Sequence, residues 1–247
     1  MRKLSPTKAI THALKSVWTY RSVAIRIAML WVPVMFICGL LELYVGPPDT
    51  EAQQLSSVNL IQMGTGILSI IAVCSMAVSW HRFILRDELS HGLRLDANVL
   101  RYAGNTLLIM LAMLVPSLLF LVAVLGAPAT AAIGLPALVL LGGAITRLSI
   151  KLPAVALGNR EFTFGNAWAA SEGNFWPCLG VFLLSWAITL SGLLVLILAG
   201  GALEQVNSLF GQVFTLAGAV LLQLFYSIFN ASVFTSLYGF FVERRDF

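Results

Sequence analysis

The sequence FWPCLGVFLLSWAITLSGLLVLILAG, residues 175–200, decides the fold of this chain. It runs for 26 residues without one charged side chain, and large apolar residues make up most of it. A helix rises about 1.5 Å per residue, so such a run crosses a hydrocarbon core of about 30 Å with length to spare. The stretch therefore predicts a transmembrane helix.

Five further segments have the same character. The chain is 59% hydrophobic and 11% charged, whereas a soluble domain carries about 25% charged residues. We therefore predict an all-α, polytopic membrane protein in which residues 1–247 form a single integral membrane domain of three helical hairpins. The fourth span is the shortest, and its glycines and Pro136 weaken it as a helix. The spans are expected at about 22–46, 57–81, 102–126, 129–150, 175–200 and 208–242.

The positive charges alternate with these spans. All 15 Lys and Arg residues fall before or at the start of span 1, between spans 2 and 3, from the end of span 4 to the start of span 5, or after span 6. The opposite loops contain Asp49, Glu51 and Glu204 instead. Because positively charged loops are retained in the cytoplasm, both termini are expected to be cytoplasmic. We predict a multi-pass protein of the bacterial inner membrane.

This topology also explains the net charge of +4. No basic patch interleaved with aromatic residues lies on a soluble segment, so nucleic acid is not expected as a partner. The expected partners are membrane lipids, whose anionic headgroups attract the basic side. If the protein has an accessory role, other membrane protein subunits are expected as partners as well.

Each hairpin is expected to begin with a short amphipathic segment on the basic side. In residues 5–20, Ser5 and Pro6 favour a helix start, and apolar residues from Ile10 to Trp18 follow helical spacing on one face. Such a helix is expected to lie in the plane of the interface, with Trp18 at headgroup depth. Arginines at span ends are expected to extend toward lipid phosphate. The expected interfacial anchors are Trp18, Arg82, Arg147, Trp168 and Trp176.

Three neighbouring stretches carry a resemblance to a known family: RLSIKLPAVALG (147–158), FTFGNAW (162–168) and GNFW (173–176). An Arg that closes a span, an L-P-A run and an A-W helix before the next span resemble the membrane domain of bacterial glycerophosphodiester phosphodiesterases and related stand-alone, uncharacterised six-span inner-membrane proteins. The resemblance covers about half of the chain. It implies a six-span membrane domain without the soluble barrel that carries the phosphodiesterase chemistry, and it transfers no catalytic residue.

The sequence contains no recognisable catalytic, cofactor or metal-binding constellation. His12, His81 and His91 lie at no metal-ligand spacing, and no nucleotide-binding glycine motif follows a strand. We therefore expect no metal and no cofactor, and we assign no catalytic residue. An interfacial lipid-modifying enzyme that uses His81, Asp87, Glu88 and His91 is kept as an alternative.

Small and uncharged polar residues form a stripe along the last span. They recur at steps of three and four residues, which places them on one helical face: Ser208, Gln212, Thr215, Ala219, Gln223, Tyr226 and Asn230. A shorter stripe on the second span includes Gln62. An amide without a partner in hydrocarbon costs several kcal/mol, so these faces are expected to meet protein or water.

Two interpretations of the stripe stay open. Its side chains can bond between closely packed helices, or they can line a polar cavity for a lipid headgroup or small solute. The residues on which the choice depends are Gln62, Gln212, Thr215, Gln223, Tyr226 and Asn230.

The sequence favours a non-enzymatic accessory or scaffold protein. A transporter or lipid-handling protein that uses the last-span stripe is the second hypothesis, and the interfacial enzyme is the third. No ionisable residue lies near the centre of a span, which disfavours proton-coupled transport through a buried carboxylate. Pro33 and Pro116 are expected to kink the first and third spans.

Overall fold

A computed structural model describes residues 2–46, 57–89, 93–127 and 131–246. Asp49, Glu51 and His91 lie outside the described residues. Within these ranges every regular element is an α-helix. The helices are α1 (Pro6–Thr19), α2 (Arg21–Met29), α3 (Val32–Val45), α4 (Ser57–Arg86), α5 (Ala97–Gly126), α6 (Ala131–Ser149), α7 (Lys151–Ala156), α8 (Phe164–Ala170), α9 (Phe175–Val206) and α10 (Ser208–Phe241).

The helices define a multi-pass membrane protein. Five segments are each long and apolar enough to cross a membrane: α4, α5, α9, α10, and α6 continued by α7 over Ala132–Ala156. α2 and α3 meet the same criteria only together, so the helices number five to six spans, depending on whether this bent pair crosses as one. The all-α, polytopic architecture expected from the sequence is confirmed.

The break in the first span follows from Pro33. α2 and α3 are bent by 52° relative to each other, and Pro33 lies in the first turn of α3. A proline ring clashes with the carbonyl four residues earlier, here that of Met29, and removes one helical hydrogen bond. α2 accordingly ends at Met29. In contrast, α5 runs through Pro116 as one helix.

The glycines of α6 are sites of close packing. A Cβ added at Gly134 would collide with the ring of Phe120 on α5, and one at Gly142 would collide with Phe182 on α9. The residues that weaken this span as an isolated helix therefore let aromatic side chains of both neighbours approach its backbone. Tertiary packing outweighs the low helix propensity of glycine here.

Both chain ends lie at the same end of the bundle. Arg2 donates a hydrogen bond of 2.8 Å to the backbone carbonyl of Arg244 and forms an ion pair with Asp246. α1 packs against α9 and α10, where Ala9, Ile10 and Ala13 are buried.

The position of α1 in the interface plane stays a prediction, and the structure adds that the helix also packs against protein. The first part of its apolar face is covered by protein, and only the end with Leu14 and Trp18 stays exposed. The apolar pattern is the same for a helix that covers lipid and for one that covers protein.

Candidate functional site in a groove along α10

Part of the polar stripe serves helix packing. Gln62 donates to the backbone carbonyl of Gly46 at 2.8 Å, which ties α4 to the end of α3. Thr215 lies so close to Gly200 that an added Cβ would collide with the Thr215 hydroxyl. Gln212 contacts Ser208 on its own helix at 3.4 Å.

The rest of the stripe opens into a groove of about 440 Å³. This volume lies within the range of about 300–1,000 Å³ that is typical of small-molecule sites. α10 contributes four successive stripe positions: Ala219, Gln223, Tyr226 and Asn230. The facing walls come from α4, α5, α7 and α9, and are mainly apolar: Val73, Cys74, Ala77, Tyr102, Thr106, Leu152, Thr189, Leu193 and Leu196.

The groove lies at the middle of the membrane-spanning helix. Gln223 is 15 residues after Ser208 and 18 residues before Phe241. At about 1.5 Å per residue, these separations place it about 22 Å and 27 Å from the two helix ends. A polar group at this depth is surrounded by hydrocarbon unless protein, water or a ligand reaches it.

Two of the stripe residues in the groove are already bonded to protein. The Tyr226 hydroxyl lies 3.2 Å and 3.0 Å from the backbone carbonyls of Ile188 and Thr189 on α9. The Asn230 amide nitrogen donates to the carbonyl of Tyr226 at 2.9 Å. The Tyr226 contacts connect α10 to α9, and the Asn230 bond stays within α10.

The groove also contains a polar group without a protein partner. The Gln223 side chain is exposed, and its amide makes no hydrogen bond within the described part of the chain. The Thr106 hydroxyl on the opposite wall is buried next to the Cys74 thiol and is not exposed to the groove. The groove therefore combines a mainly apolar lining with one exposed polar group, the Gln223 amide, that can bind a ligand.

His81 is a buried core residue rather than an accessible one. It is fully buried, with Nδ1 at 2.7 Å from Thr235 Oγ1 and Nε2 at 3.2 Å from the Tyr102 hydroxyl. Thr235 already donates its proton to the carbonyl of Ala231 at 2.8 Å. The network therefore assigns the proton of a neutral His81 to Nδ1, and Nε2 accepts from Tyr102.

His12 makes a similar bond between α1 and α10. Its Nδ1 lies 2.9 Å from Ser236 Oγ, and Ser236 donates to the carbonyl of Ser232 at 2.9 Å. The serine proton is thus engaged, which makes His12 the donor and not a base that activates Ser236. Burial, and secondarily the charge of Lys15, lowers the pKa of His12 below 6.5.

Two residues of the enzyme alternative, His81 and Glu88, are engaged in protein contacts, and the alternative stays a prediction. His81 is inaccessible, and Glu88 accepts from Arg82 Nε at 2.7 Å. His91 lies outside the described residues. Within the described ranges, no group of three or more His, Cys, Asp or Glu side chains is placed to hold a metal ion.

The two arginines expected as lipid anchors are bonded to protein. Arg147 is 6% exposed, its guanidinium lies 3.7 Å from the centroid of the Trp168 ring, and it donates to Ser171 Oγ at 2.9 Å. Arg82 donates to the carbonyl of Ala156 at 3.2 Å. These side chains connect α6 to α8 and α4 to α7, and their role as lipid anchors stays a prediction.

The three tryptophans expected as anchors have accessible rings. Trp18 and Trp176 are each exposed over about 70% of their surface, and Trp168 is partly covered by Arg147. An exposed indole close to a span end suits the membrane–water interface. Their role as anchors stays a prediction.

These features define an α-helical, multi-pass membrane protein with an amphipathic groove beside the central part of α10. No protein-family model, curated protein or solved structure matches the chain. The resemblance to the membrane domain of glycerophosphodiester phosphodiesterases therefore stays a prediction.

Proposed function

We propose that this protein binds an amphiphilic molecule, a lipid or a lipid-like solute, in the groove along α10. In this proposal it is a non-enzymatic, lipid-handling component of the bacterial inner membrane. The observation that carries the proposal is Gln223, which presents an unpartnered amide near the middle of α10 in a mainly apolar groove. An amide left without a partner in hydrocarbon costs several kcal/mol, so an occupant with a hydrogen-bonding group satisfies it.

The chemistry of the groove selects the class of ligand. Its leucine and valine side chains favour an apolar body, and the Gln223 amide can both donate and accept hydrogen bonds. An ester carbonyl or a hydroxyl on an acyl-chain molecule matches both properties. A small ion does not, because the lining of the groove contains no charged side chain among the described residues.

The charge distribution supports the orientation in this proposal. Arg2 and Arg244 meet at one end of the bundle, and the basic loops of the sequence belong to that same end. Since positively charged segments are retained in the cytoplasm, this end is assigned to the cytoplasm with both termini. Periplasmic labelling of a single cysteine placed at Arg160 in sealed cells would contradict the assignment.

The ligand can be identified from the protein purified in a gentle detergent. We expect native mass spectrometry to show a bound lipid or lipid-like molecule, and Gln223→Leu to reduce its retention about tenfold, since a lost buried hydrogen bond costs about 1–3 kcal/mol. Gln212→Leu is the matched control, because Gln212 belongs to the same stripe but lies outside the groove.

Equal retention by the two variants would contradict the proposal. The same comparison can be made for lipid movement between liposomes, where only Gln223→Leu is expected to reduce the rate. The accessory or scaffold role favoured by the sequence stays a prediction, and the same preparation tests it, because a stoichiometric protein partner would co-purify.

A further inference from the structure

A second recess, distinct from the groove, lies at the basic end between α5, α7 and the segment that follows α7. It has a volume of about 170 Å³. Three cationic side chains line it, Arg101, Lys151 and Arg160, together with Asn105 and Asn159. We refer to these five residues as the basic pocket.

The basic pocket and the groove lie on opposite sides of one wall. Arg101, Asn105 and Lys151 face the pocket, whereas their chain neighbours Tyr102, Thr106 and Leu152 line the groove. Successive residues of a helix point about 100° apart, so α5 and α7 present different residues to each side. A ligand in one recess therefore has its own set of contacts.

The cations of the basic pocket have no acidic counterpart. Among the described residues, none of the three makes an ion pair within 4.0 Å. Glu161 follows Arg160 in the chain but does not line the pocket. Like charges that converge on one recess repel each other, and an anion bound between them removes this repulsion.

Two of the pocket residues are held in place by protein contacts. The Lys151 ammonium lies 4.0 Å from the centroid of the Phe164 ring. The Asn159 side-chain oxygen accepts from the backbone N–H groups of Glu161 and Phe162 at 3.0 Å and 3.2 Å. The amide nitrogen of Asn159 is thereby left to donate to a ligand.

The surface next to the pocket faces lipid. From Arg101 and Asn105, the same face of α5 continues at steps of three and four residues through Leu108, Ala112 and Val115, all of which are exposed. An anion at the pocket is thus directly above a strip of helix that acyl chains can cover.

We propose that the basic pocket binds a phosphate group, supplied by an anionic phospholipid whose chains lie along this face of α5 or by a soluble phosphate ester. Arg guanidinium and Lys ammonium groups are the usual ligands of phosphate oxygens in proteins. The exposed apolar strip favours the phospholipid as the source. This site does not depend on the groove ligand.

The test measures phosphatidylglycerol binding to delipidated full-length protein in detergent, with phosphatidylcholine as the neutral-headgroup comparison. Since each basic residue near an anionic lipid contributes about 1 kcal/mol, or about fivefold in affinity, we expect the Arg101→Gln/Arg160→Gln double variant to bind phosphatidylglycerol about 25-fold more weakly. The charge-retaining Arg101→Lys/Arg160→Lys variant should keep most of the affinity. The control variant Lys3→Gln/Lys8→Gln removes the same number of positive charges, but at exposed positions outside the pocket.

An equal loss in the Lys3→Gln/Lys8→Gln control would overturn the proposal, because it would show general attraction to the basic end. Unchanged binding by the Arg101→Gln/Arg160→Gln variant would also overturn it.

Millimolar glycerol phosphate added to the wild-type protein distinguishes the two sources of the phosphate group. Displacement of the lipid by glycerol phosphate assigns the pocket to a soluble phosphate ester, and retention of the lipid assigns it to the phospholipid. Circular dichroism and monodisperse elution establish that each variant is folded.

Discussion

The two halves of α10 differ in what surrounds them. From Ser227 to Phe240 all residues but Asn230 and Phe234 are buried, whereas from Ser208 to Gly218 only Gly211 is buried. In the buried half, hydroxyl groups bond to α1 and α4. In the exposed half, contacts to α9 depend on small residues such as Gly200 and Gly218.

The difference shows how one helix can combine two modes of membrane packing. Ser and Thr are small enough to allow close approach, and their bonds to neighbouring helices add specificity where water is absent. The buried half of α10 is therefore held to α1 and α4 by hydrogen bonds as well as by packing. The exposed half is held by shape complementarity with α9 and by its contact with lipid. The groove lies at the boundary between them.

The strongest way to disturb the buried half of α10 is to remove the His81 side chain of α4, which bonds to Thr235. We expect His81→Ala to lower the free energy of unfolding by about 3–5 kcal/mol, because it leaves a cavity and deprives the buried Tyr102 hydroxyl of its partner. Thr65→Val, which removes the bond of 2.6 Å to Glu42 at the other end of the bundle, should cost about 0.6–1 kcal/mol. Denaturant unfolding in detergent measures both, and equal costs would remove the distinction between the two ends.

A second variant tests the boundary at the groove. A Cβ at Gly192 would collide with the Tyr226 hydroxyl, so Gly192→Ala is expected to destabilise the protein by about 1–3 kcal/mol. The control is Gly201→Ala on the same helix, where nothing lies within 4 Å of the added Cβ. That control should be neutral or stabilising by up to about 1 kcal/mol. Thermal melts of the two variants in the same detergent test this prediction. Equal shifts of the melting temperature would show that α9 and α10 are not in close contact at Tyr226.

A smaller effect is expected where α10 bonds to α1. Ser232 donates to the carbonyl of Ala13 at 3.1 Å, and Ser232→Ala should cost about 0.5–1.5 kcal/mol. Ser191→Ala provides the comparison, since Ser191 is exposed and bonds only to Ala187 on its own helix. Hydrogen exchange of the α1 amides should increase in Ser232→Ala alone; protection of α1 that is the same in both would show that this bond does not hold α1.

The smallest expected effect is the pH dependence from His12. Its pKa in the folded protein lies below the value of 6.5 for the unfolded chain, so the unfolded chain binds the proton more readily. Its contribution to stability is complete above pH 6.5 and is lost as the pH falls through the lower, folded pKa. We expect His12→Gln, which keeps a hydrogen-bond donor, to reduce the slope of melting temperature against pH below 6.5. An unchanged slope would show that His12 does not titrate differently in the two states.

The architecture could be predicted because membrane spans and helical faces are local properties. Uninterrupted apolar runs gave the helices, Pro33 marked the break in the first span, and the spacing of three and four residues located the stripe that contains Gln223. Both signals depend on residues close together in the chain. Both signals are the same whichever helices become neighbours in the folded protein.

The partners of individual side chains could not be predicted in this way. His81 bonds to Thr235 across 154 residues, and His12 bonds to Ser236 across 224. Arg147 near the end of a span has the same sequence signature whether it reaches lipid phosphate or the ring of Trp168. The division of the stripe into packing and groove also depends on which helix faces each position, which the stripe itself does not encode.

The contact between the first and last helices has a consequence for biosynthesis. Ala13 and Ser232 are separated by 219 residues, so α1 leaves the ribosome long before its partner exists. At about 5–20 residues per second, the buried face of α1 waits about 10–40 s for α10. During that interval the N-terminal segment needs temporary shelter at the bilayer surface, and closure of the bundle is the final event of assembly.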